Sequence, residues 1–569
     1  MNARKLIADF FSRNKALVLV TFVASIGNSL LNVLLPLSIG KFYELAFHES
    51  SAKGKLFDTL HLSVNTMSGF FLFFLVLIIL KSVITYGEKY FTGLVGERFS
   101  RNLRELLFRT QLSHSMPVHE LKPAGKYLLR YSGDLSFIQR FISKGIIQFS
   151  GDLVFLTAAF TVLLLINTTL TAVVIAGLAA AAGIIVLLNK SVRKATISRR
   201  NQRSALLGFV TTRLQAFYTL KSFNREVPET TQFNRQSRKM YELGINYYRV
   251  YALVQAILPA LFFGTMALVL YFVAVERETN PAAFHHGDVL NYILLLLYIQ
   301  SSIRRMLGVN VVWQLGQVSM LKLLRIINQP VERRDDPATM VPAKGKIVFE
   351  DVSFQYEHAQ QPAVEHLTCC FEPGTITWLQ GRQGSGKSTV LKLIQGIYTP
   401  GSGKIFLDDQ PFASLAPNAV RKNVAIISDE APLIGNTVFK AISYNTADEK
   451  REKTAQLLER LGFHVGGSSN QSLDYRLSDY AKNLSNGQRK LLMFARAFLT
   501  RKKVLLIDEV FDDLDPDARA KVLAELQRLA SKRTIIIAGS RLPETLKAGQ
   551  IINLNELHHK IQRSYHDIN

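Results

Sequence analysis

Six stretches of this chain are too long and too apolar for water to be their solvent: Ala16 to Ile39, Met67 to Tyr86, Ile146 to Ile166, Leu170 to Leu188, Val250 to Val275 and Val289 to Leu307. Crossing the hydrocarbon core of a bilayer takes about 20 apolar residues in a helix. Inside that core each backbone N–H and C=O must find its partner within the same segment, which leaves helix as the form each run can take. The pattern therefore predicts an all-α domain of six membrane-spanning helices. Basic residues set its orientation. They concentrate at the N-terminus, between Glu88 and Lys144, and between Asn189 and Arg249, and such an excess of Lys and Arg marks the cytoplasmic side. The connections Glu49 to Asn65, Asn167 to Thr169 and Arg277 to Gly287 are short or nearly neutral and are expected outside.

This placement accounts for a formal charge of +24. A chain so basic could bind nucleic acid. Much of the charge, however, lies in Arg98 to Arg109 and Lys190 to Arg203, which flank apolar runs. With no basic sheet carrying interleaved aromatics, a nucleic-acid partner is not expected. Cys369 and Cys370 are the two cysteines. Neighbours on a strand face opposite ways, so neither a metal nor a redox centre is expected there, and a reducing cytosol suits them. Met1 to Lys15 is basic and amphipathic, with Leu6, Phe10 and Phe11 on one side. It is expected to lie along the inner membrane surface. The apolar stretch that follows is too long for a signal-peptide core and shows no obvious cleavage site.

The two long internal loops read as helical, because Leu206, Val210, Leu214 and Phe217 recur at helical spacing. The pattern breaks at Gln329-Pro330, and Val331 to Lys346 is polar, with Pro337 and Pro342. From Ile347 short β-rich runs alternate with helices, as in a nucleotide-binding α/β domain. The expected organisation is residues 1–330 as a membrane domain, 331–346 as a linker, and 347–569 as the α/β domain.

Inside that last domain, Gly381-Arg382-Gln383-Gly384-Ser385-Gly386-Lys387-Ser388 has the form G-x-x-x-x-G-K-S, between an apolar run (Thr375 to Leu379) and a helical one starting at Thr389. Strand–loop–helix is the context a phosphate loop needs. Its backbone N–H groups surround phosphates, Lys387 neutralises the β/γ oxygens, and the hydroxyl of Ser388 is placed for Mg²⁺. Further on, Val504-Leu-Leu-Ile-Asp508-Glu509 is an apolar strand ending in two carboxylates. Asp508 suits the metal shell and Glu509 suits orienting or deprotonating water. ATP and Mg²⁺ are the expected ligands.

The whole chain resembles a half-transporter of the ABC exporter family. Leu484-Ser485-Asn486-Gly487-Gln488 is similar to the family signature LSGGQ, a highly specific motif. Val352-Ser-Phe-Gln-Tyr356 resembles the element whose aromatic stacks on adenine. Asp512-Asp-Leu-Asp515 resembles the loop that communicates across the dimer. Ala124 to Arg130 with Asp134 resembles the first coupling loop, and Thr219 to Glu226 resembles the stretch after the second. The resemblance implies an all-α six-helix transmembrane domain followed by an α/β P-loop NTPase domain, in the inner (plasma) membrane with its ATPase cytoplasmic. It implies two such chains clamping ATP head to tail, each nucleotide capped in trans by Ser485, Asn486, Gly487 and Gln488 of the other. The substrate class implied is a small molecule, a peptide or a lipid-like compound.

Three positions depart from the family. Asp429 falls where glutamine is usual and can still offer oxygen to Mg²⁺. Ser540 falls on the switch histidine, too short to reach the γ-phosphate directly. Asn486 replaces a signature glycine, where tolerance of left-handed backbone favours Asn. Glu509 is intact, so a slow ATPase in a homodimer is one reading. A heterodimer whose other half supplies the better site is the reading these departures favour. An ATP-gated regulator with little hydrolysis is the alternative from another class. Within the spans, Lys81, Arg304 and Arg305 form a candidate substrate cavity for anionic headgroups, against which stands pairing of Lys81 with Asp152 or snorkelling of the arginines. His285 and His286 are expected in an external surface turn.

Overall fold

A computed structural model of the full chain describes residues 2–47, 66–120, 127, 130–279, 286–333, 344–357, 359–444, 451–465, 469–540, 542 and 546–555. Two compact units emerge: Met1–Leu112 with Lys122–Gln329, and Ser113–Leu121 with Pro330–Asn569.

The first unit is helical throughout: α1 (Ala3–Arg13), α2 (Lys15–Phe47) and α3 (Met67–Gln111), then, beyond α4 (Met116–Glu120), which belongs to the second unit, α5 (Leu135–Arg140), α6 (Phe149–Ile166), α7 (Thr168–Gln215), α8 (Phe217–Ser222), α9 (Glu226–Thr279) and α10 (His286–Ile327). Two π-helical segments, Arg130–Asp134 and Phe141–Gln148, flank α5. Each predicted apolar run falls within a long helix or, for the third, within α6 and the π-helical segment before it. Lys15–Tyr43, Met67–Gln111, Arg130–Ile166 and Glu226–Glu276 are long and apolar enough to cross a membrane, and the apolar part of α7, Thr168–Ile184, is shorter. Their outer faces stay apolar: Leu72 is 66% exposed and Leu187 is 72% exposed. Such faces need lipid around them.

α3, α7 and α9 run on well past their apolar stretches, as the helical spacing of the long loops predicts. Amphipathic α1 is held by Phe10, whose ring meets Phe99 edge-on at 4.9 Å between centroids, in a core with Leu103, Ile138 and Leu323. Asp134, read from sequence as part of a coupling loop, is instead an internal anchor. It is buried, ion-paired with Arg130 and, at 2.9 Å, with Arg200, and it accepts from Ser319 at 2.7 Å. A carboxylate so enclosed requires these partners. Most of the stretch from Ala124 to Arg130 lies outside the described residues, as do the loop Glu49 to Asn65, most of the linker and His285.

The second unit carries two sheets. One is antiparallel, in the order β2–β1–β4–β5: β1 (Ile347–Phe354), β2 (Val364–Phe371), β4 (Ser402–Leu407) and β5 (Gln410–Pro411). The other is parallel, in the order β6–β7–β8–β3–β9: β3 (Ile376–Gln380), β6 (Val424–Ile427), β7 (Val504–Asp508), β8 (Thr534–Gly539) and β9 (Gln550–Asn553). The helices used below are α11 (Lys387–Ile394), α12 (Asn486–Phe498) and α13 (Pro516–Ala530). β7 and β8 are buried along nearly their whole length, as expected of apolar runs in a sheet covered on both faces.

Replacing Asp134 by Ala leaves two guanidinium groups facing a buried site with no counter-ion. A loss on the order of 3 kcal/mol in the stability of the membrane unit is expected, read as a lower melting temperature in detergent, with Asp134→Glu much milder.

Candidate functional site

Parallel strands bring their carboxyl ends to one edge of a sheet, where ligands of such folds bind. Register sets what meets there. Gln380 pairs with Gly539, and Asp508 pairs with Ala538, so the loop after β3, the acids after β7 and the turn after β8 converge.

The phosphate loop begins at Gly381, and its turn needs left-handed backbone at Gly384 (φ 85°) and Gly386 (φ 89°). At Gly386 a Cβ would fall on the carbonyl oxygen of Ala363, so no other residue fits. α11 starts directly afterwards, at Lys387 rather than at Thr389, because Gly386 is its N-cap. The free N–H groups of its first turn therefore face the loop. Lys387 is buried. Its Nζ donates to the carbonyls of Gly381 at 3.0 Å and Arg382 at 3.1 Å and lies 3.3 Å from the Glu509 carboxylate. The hydroxyl of Ser385 is buried without a partner among the described atoms. A cradle of N–H groups, a buried ammonium and an orphaned hydroxyl fits an anionic polyphosphate.

Ser388 Oγ donates to Asp508 at 3.1 Å. Burial pushes the Asp508 carboxyl above the ordinary carboxylate range; the Ser388 hydroxyl opposes this, and the neighbouring Glu509 and Glu430 add to it. A hydroxyl and a carboxylate with raised proton affinity form a hard oxygen set that fits Mg²⁺. Glu509 has φ 48°, an unfavourable backbone for a side chain of its kind, held as its N–H donates to the carbonyl of Ala538 at 3.2 Å. Strain of this sort gathers at working sites. Its side chain is half exposed and can reach solvent.

Tyr356 packs edge-on against Phe354 and Tyr398, at 5.0 and 5.4 Å, and its hydroxyl lies 3.2 Å from Thr389. Tyr398, missed from sequence, donates to Glu120 of α4 at 2.6 Å. The aromatic expected at the base thus shares a cluster with the segment 113–121. The signature residues form the start of α12. Ser485 caps it, accepting from the Gln488 N–H at 3.1 Å while the Gln488 side chain accepts from the Ser485 N–H at 3.1 Å. Asn486 is the first helical residue, hydrogen-bonded to Arg489, and is not among the left-handed residues. The left-handed rationale for Asn is therefore wrong here: a first helical position needs no positive φ. At Gly487 space is tight: a Cβ would come within 3.3 Å of the Asp513 carbonyl oxygen.

Ser540 sits exposed just past β8. It is positioned by Gly539, where a Cβ would come within 2.5 Å of the Trp378 ring. Asp429 follows β6 by two residues, and its carboxylate lies 3.5 Å from the ammonium of Lys490. Among the described contacts it meets neither Ser388 nor Asp508.

The membrane unit has its own polar site, a cavity of about 230 Å³ lined by Asn28, Asn32, Lys81, Glu88, Asp152 and Arg305 among others. Lys81 does not pair with Asp152. It donates to the Asn28 carboxamide and backbone oxygens and, at 2.6 Å, to Asn32. Asn28 donates in turn to buried Glu88 at 2.5 Å. Asp152 is taken by Arg305, at 2.5 Å, and by Ser302, at 3.2 Å. Arg304 is exposed and does not line this cavity, because consecutive helical residues point about 100° apart. The i,i+4 spacing of Asn28 and Asn32 in an apolar run was the sequence signal for this face.

Residues 18–303 match the family model for the ABC transporter transmembrane region, and residues 364–512 match the one described as ABC transporter. Among curated relatives, the ATP-dependent lipid A-core flippase of Thiobacillus denitrificans is 23% identical over 85% of this chain and 83% of its own length. The protein of the same name from Pasteurella multocida is 24% identical over 84% of this chain and 82% of its own. A solved bacterial Atm1-family ABC exporter with ATP bound has the same fold, with a TM-score of 0.79 over 95% of this chain and 93% of that one at 19% identity.

Two substitutions separate cradle from charge. Gly386→Ala should abolish binding of a fluorescent ATP analogue, as the added methyl group meets backbone. Asp508→Asn should raise the melting temperature of the nucleotide-free protein, by removing a buried carboxylate, while eliminating Mg²⁺-dependent turnover.

Proposed function

Because this chain belongs to the ABC transporter family, we propose that it is one half of an ATP-driven exporter that flips a lipid-like amphiphile across the bacterial inner membrane. The arrangement of Lys387, Ser388, Asp508 and Glu509 carries this reading. Lys387, released from the carbonyls of Gly381 and Arg382, turns to the β/γ oxygens of ATP. Ser388 and Asp508 would hold Mg²⁺, which would supply neutralising charge to the phosphate oxygens. Glu509, strained and half exposed, orients the attacking water and accepts its proton. Tyr356 with Thr389 supports the base, and Arg382, Gln383 and Ser385 complete the loop. Ser485, Gly487 and the first turn of α12 cap the nucleotide of a second chain.

That second chain also accounts for the apolar tip of the α7–α9 hairpin, where Phe217, Tyr218 and Phe223 are more than half exposed. Asp429 and Ser540 stand where glutamine and histidine are usual. Loss of one charge-stabilising contact typically slows such chemistry on the order of a hundredfold, so this half works slowly alone and faster beside a partner with the full set. In the membrane unit, Lys81 and Arg305 line the cavity with two acids, Glu88 and Asp152. The surplus cation, counting Lys89, favours an anionic headgroup; Arg304 has no part in it.

Turnover of Mg²⁺-ATP by the purified chain in nanodiscs tests the proposal. Lys387→Ala should remove it and Glu509→Gln should cut it by at least about a hundredfold. Lys81→Ala should leave basal turnover intact and abolish stimulation by anionic lipids. Nucleotide binding with no turnover, even beside a co-expressed second half-transporter, would favour the ATP-gated regulator.

A further inference from the structure

The departures from the family pattern have a counterpart that the sequence motifs did not single out. Lys490 lies in the first turns of α12, and its side chain is only 6% exposed. A buried ammonium needs anionic partners. Two loops supply them: Asp513, between β7 and α13, at 2.5 Å, and Asp429, after β6, at 3.5 Å. Each acid keeps part of its surface in water, Asp429 at 73% and Asp513 at 45%. The lysine is the buried hub and the acids are its exposed arms. The same helix start packs Gly487 against the backbone of Asp513, so the α12–Asp513 contact is close as well as charged. Asp429 thereby spends its extra negative charge on a cation of its own chain.

We propose that Lys490 is a positioning residue that ties the loop of Asp429 and the loop of Asp513 to the start of α12, so that the three segments respond to nucleotide as one body. Lys490 faces two carboxylates, Asp513 as the nearer and Asp429 as the farther, so its loss leaves both acids without their common cation. The inference extends the ATPase reading above, but its main readout needs no nucleotide.

The test is hydrogen exchange on the nucleotide-free full chain in nanodiscs, with Lys490→Met, which keeps the stem and removes the charge. Exchange of residues 428–437 and of 509–515 should rise together, with an unchanged melting temperature. Asp429→Asn should loosen only the first segment and Asp513→Asn only the second. Lys490→Arg should restore both. In turnover, Lys490→Met should lower kcat about tenfold, close to 1.4 kcal/mol, with KM for ATP nearly constant, and adding Asp429→Asn should cost little more. Unchanged exchange in Lys490→Met overturns the proposal, and so does a general rise across the domain with a lower melting temperature. Should Lys490→Met fail to fold, Asp429→Asn and Asp513→Asn decide: loosening confined to each loop supports the tie, and no loosening refutes it. Absent turnover in the parent chain sinks the ATPase reading alone and leaves the exchange result standing.

Discussion

The site depends on the parallel register of β7, β8 and β3. Pairing of Asp508 with Ala538, and of Gln380 with Gly539, brings together groups far apart in sequence, Ser388 and Asp508 among them. Slippage by one residue would turn each strand's side chains to the opposite face, separating the hydroxyl from the carboxylate and removing the carbonyl of Ala538 from the N–H of Glu509. The apolar interior of β7 and β8 holds both strands inside the sheet but, being apolar on both faces, does not choose their register. A steric stop at the edge does more: a Cβ at Gly539 would meet the Trp378 ring of β3.

Much of this was legible in sequence. Helices were forced by apolar runs that no other backbone form can carry through a bilayer, and the phosphate loop announced itself because its glycines answer a steric demand visible at Gly386. Element edges were less legible. α11 begins at Lys387 because Gly386 caps it, a fact of backbone conformation rather than of side-chain pattern. Asn486 shows the same limit: a substitution rationalised by φ proved to occupy a first helical turn, where φ is ordinary.

What stayed hidden was pairing across distance. Asp134 looked like part of a loop and is an anchor between helices, because Arg200 and Ser319 come to it from segments that no spacing rule connects to it. Lys81 looked like a partner for Asp152, yet two asparagines satisfy it and Arg305 takes the acid. Lys490, one lysine among many in a basic chain, gains meaning only from its burial. Charge counts by segment reveal topology; partners require the fold.

The buried charges fall into two kinds. Asp134 and Asp152 are closed pairs, bonded on both oxygens by groups of their own unit, and closed pairs chiefly hold geometry. Asp508, Glu509 and Lys387 are open by comparison. The Asp508 carboxyl is held above its usual range by burial, with one hydroxyl in opposition. Glu509 keeps an unfavourable backbone and a half-exposed side chain, and Lys387 shares that one carboxylate with two carbonyl oxygens. On the function proposed above, each of the three would gain a partner from a polyphosphate and a divalent cation. A ligand shifts a conformational equilibrium only by its difference in affinity between the two states. Groups whose own-chain partners are incomplete are where such a difference can originate, whereas closed pairs such as Asp134 and Asp152 fix the geometry of the membrane unit.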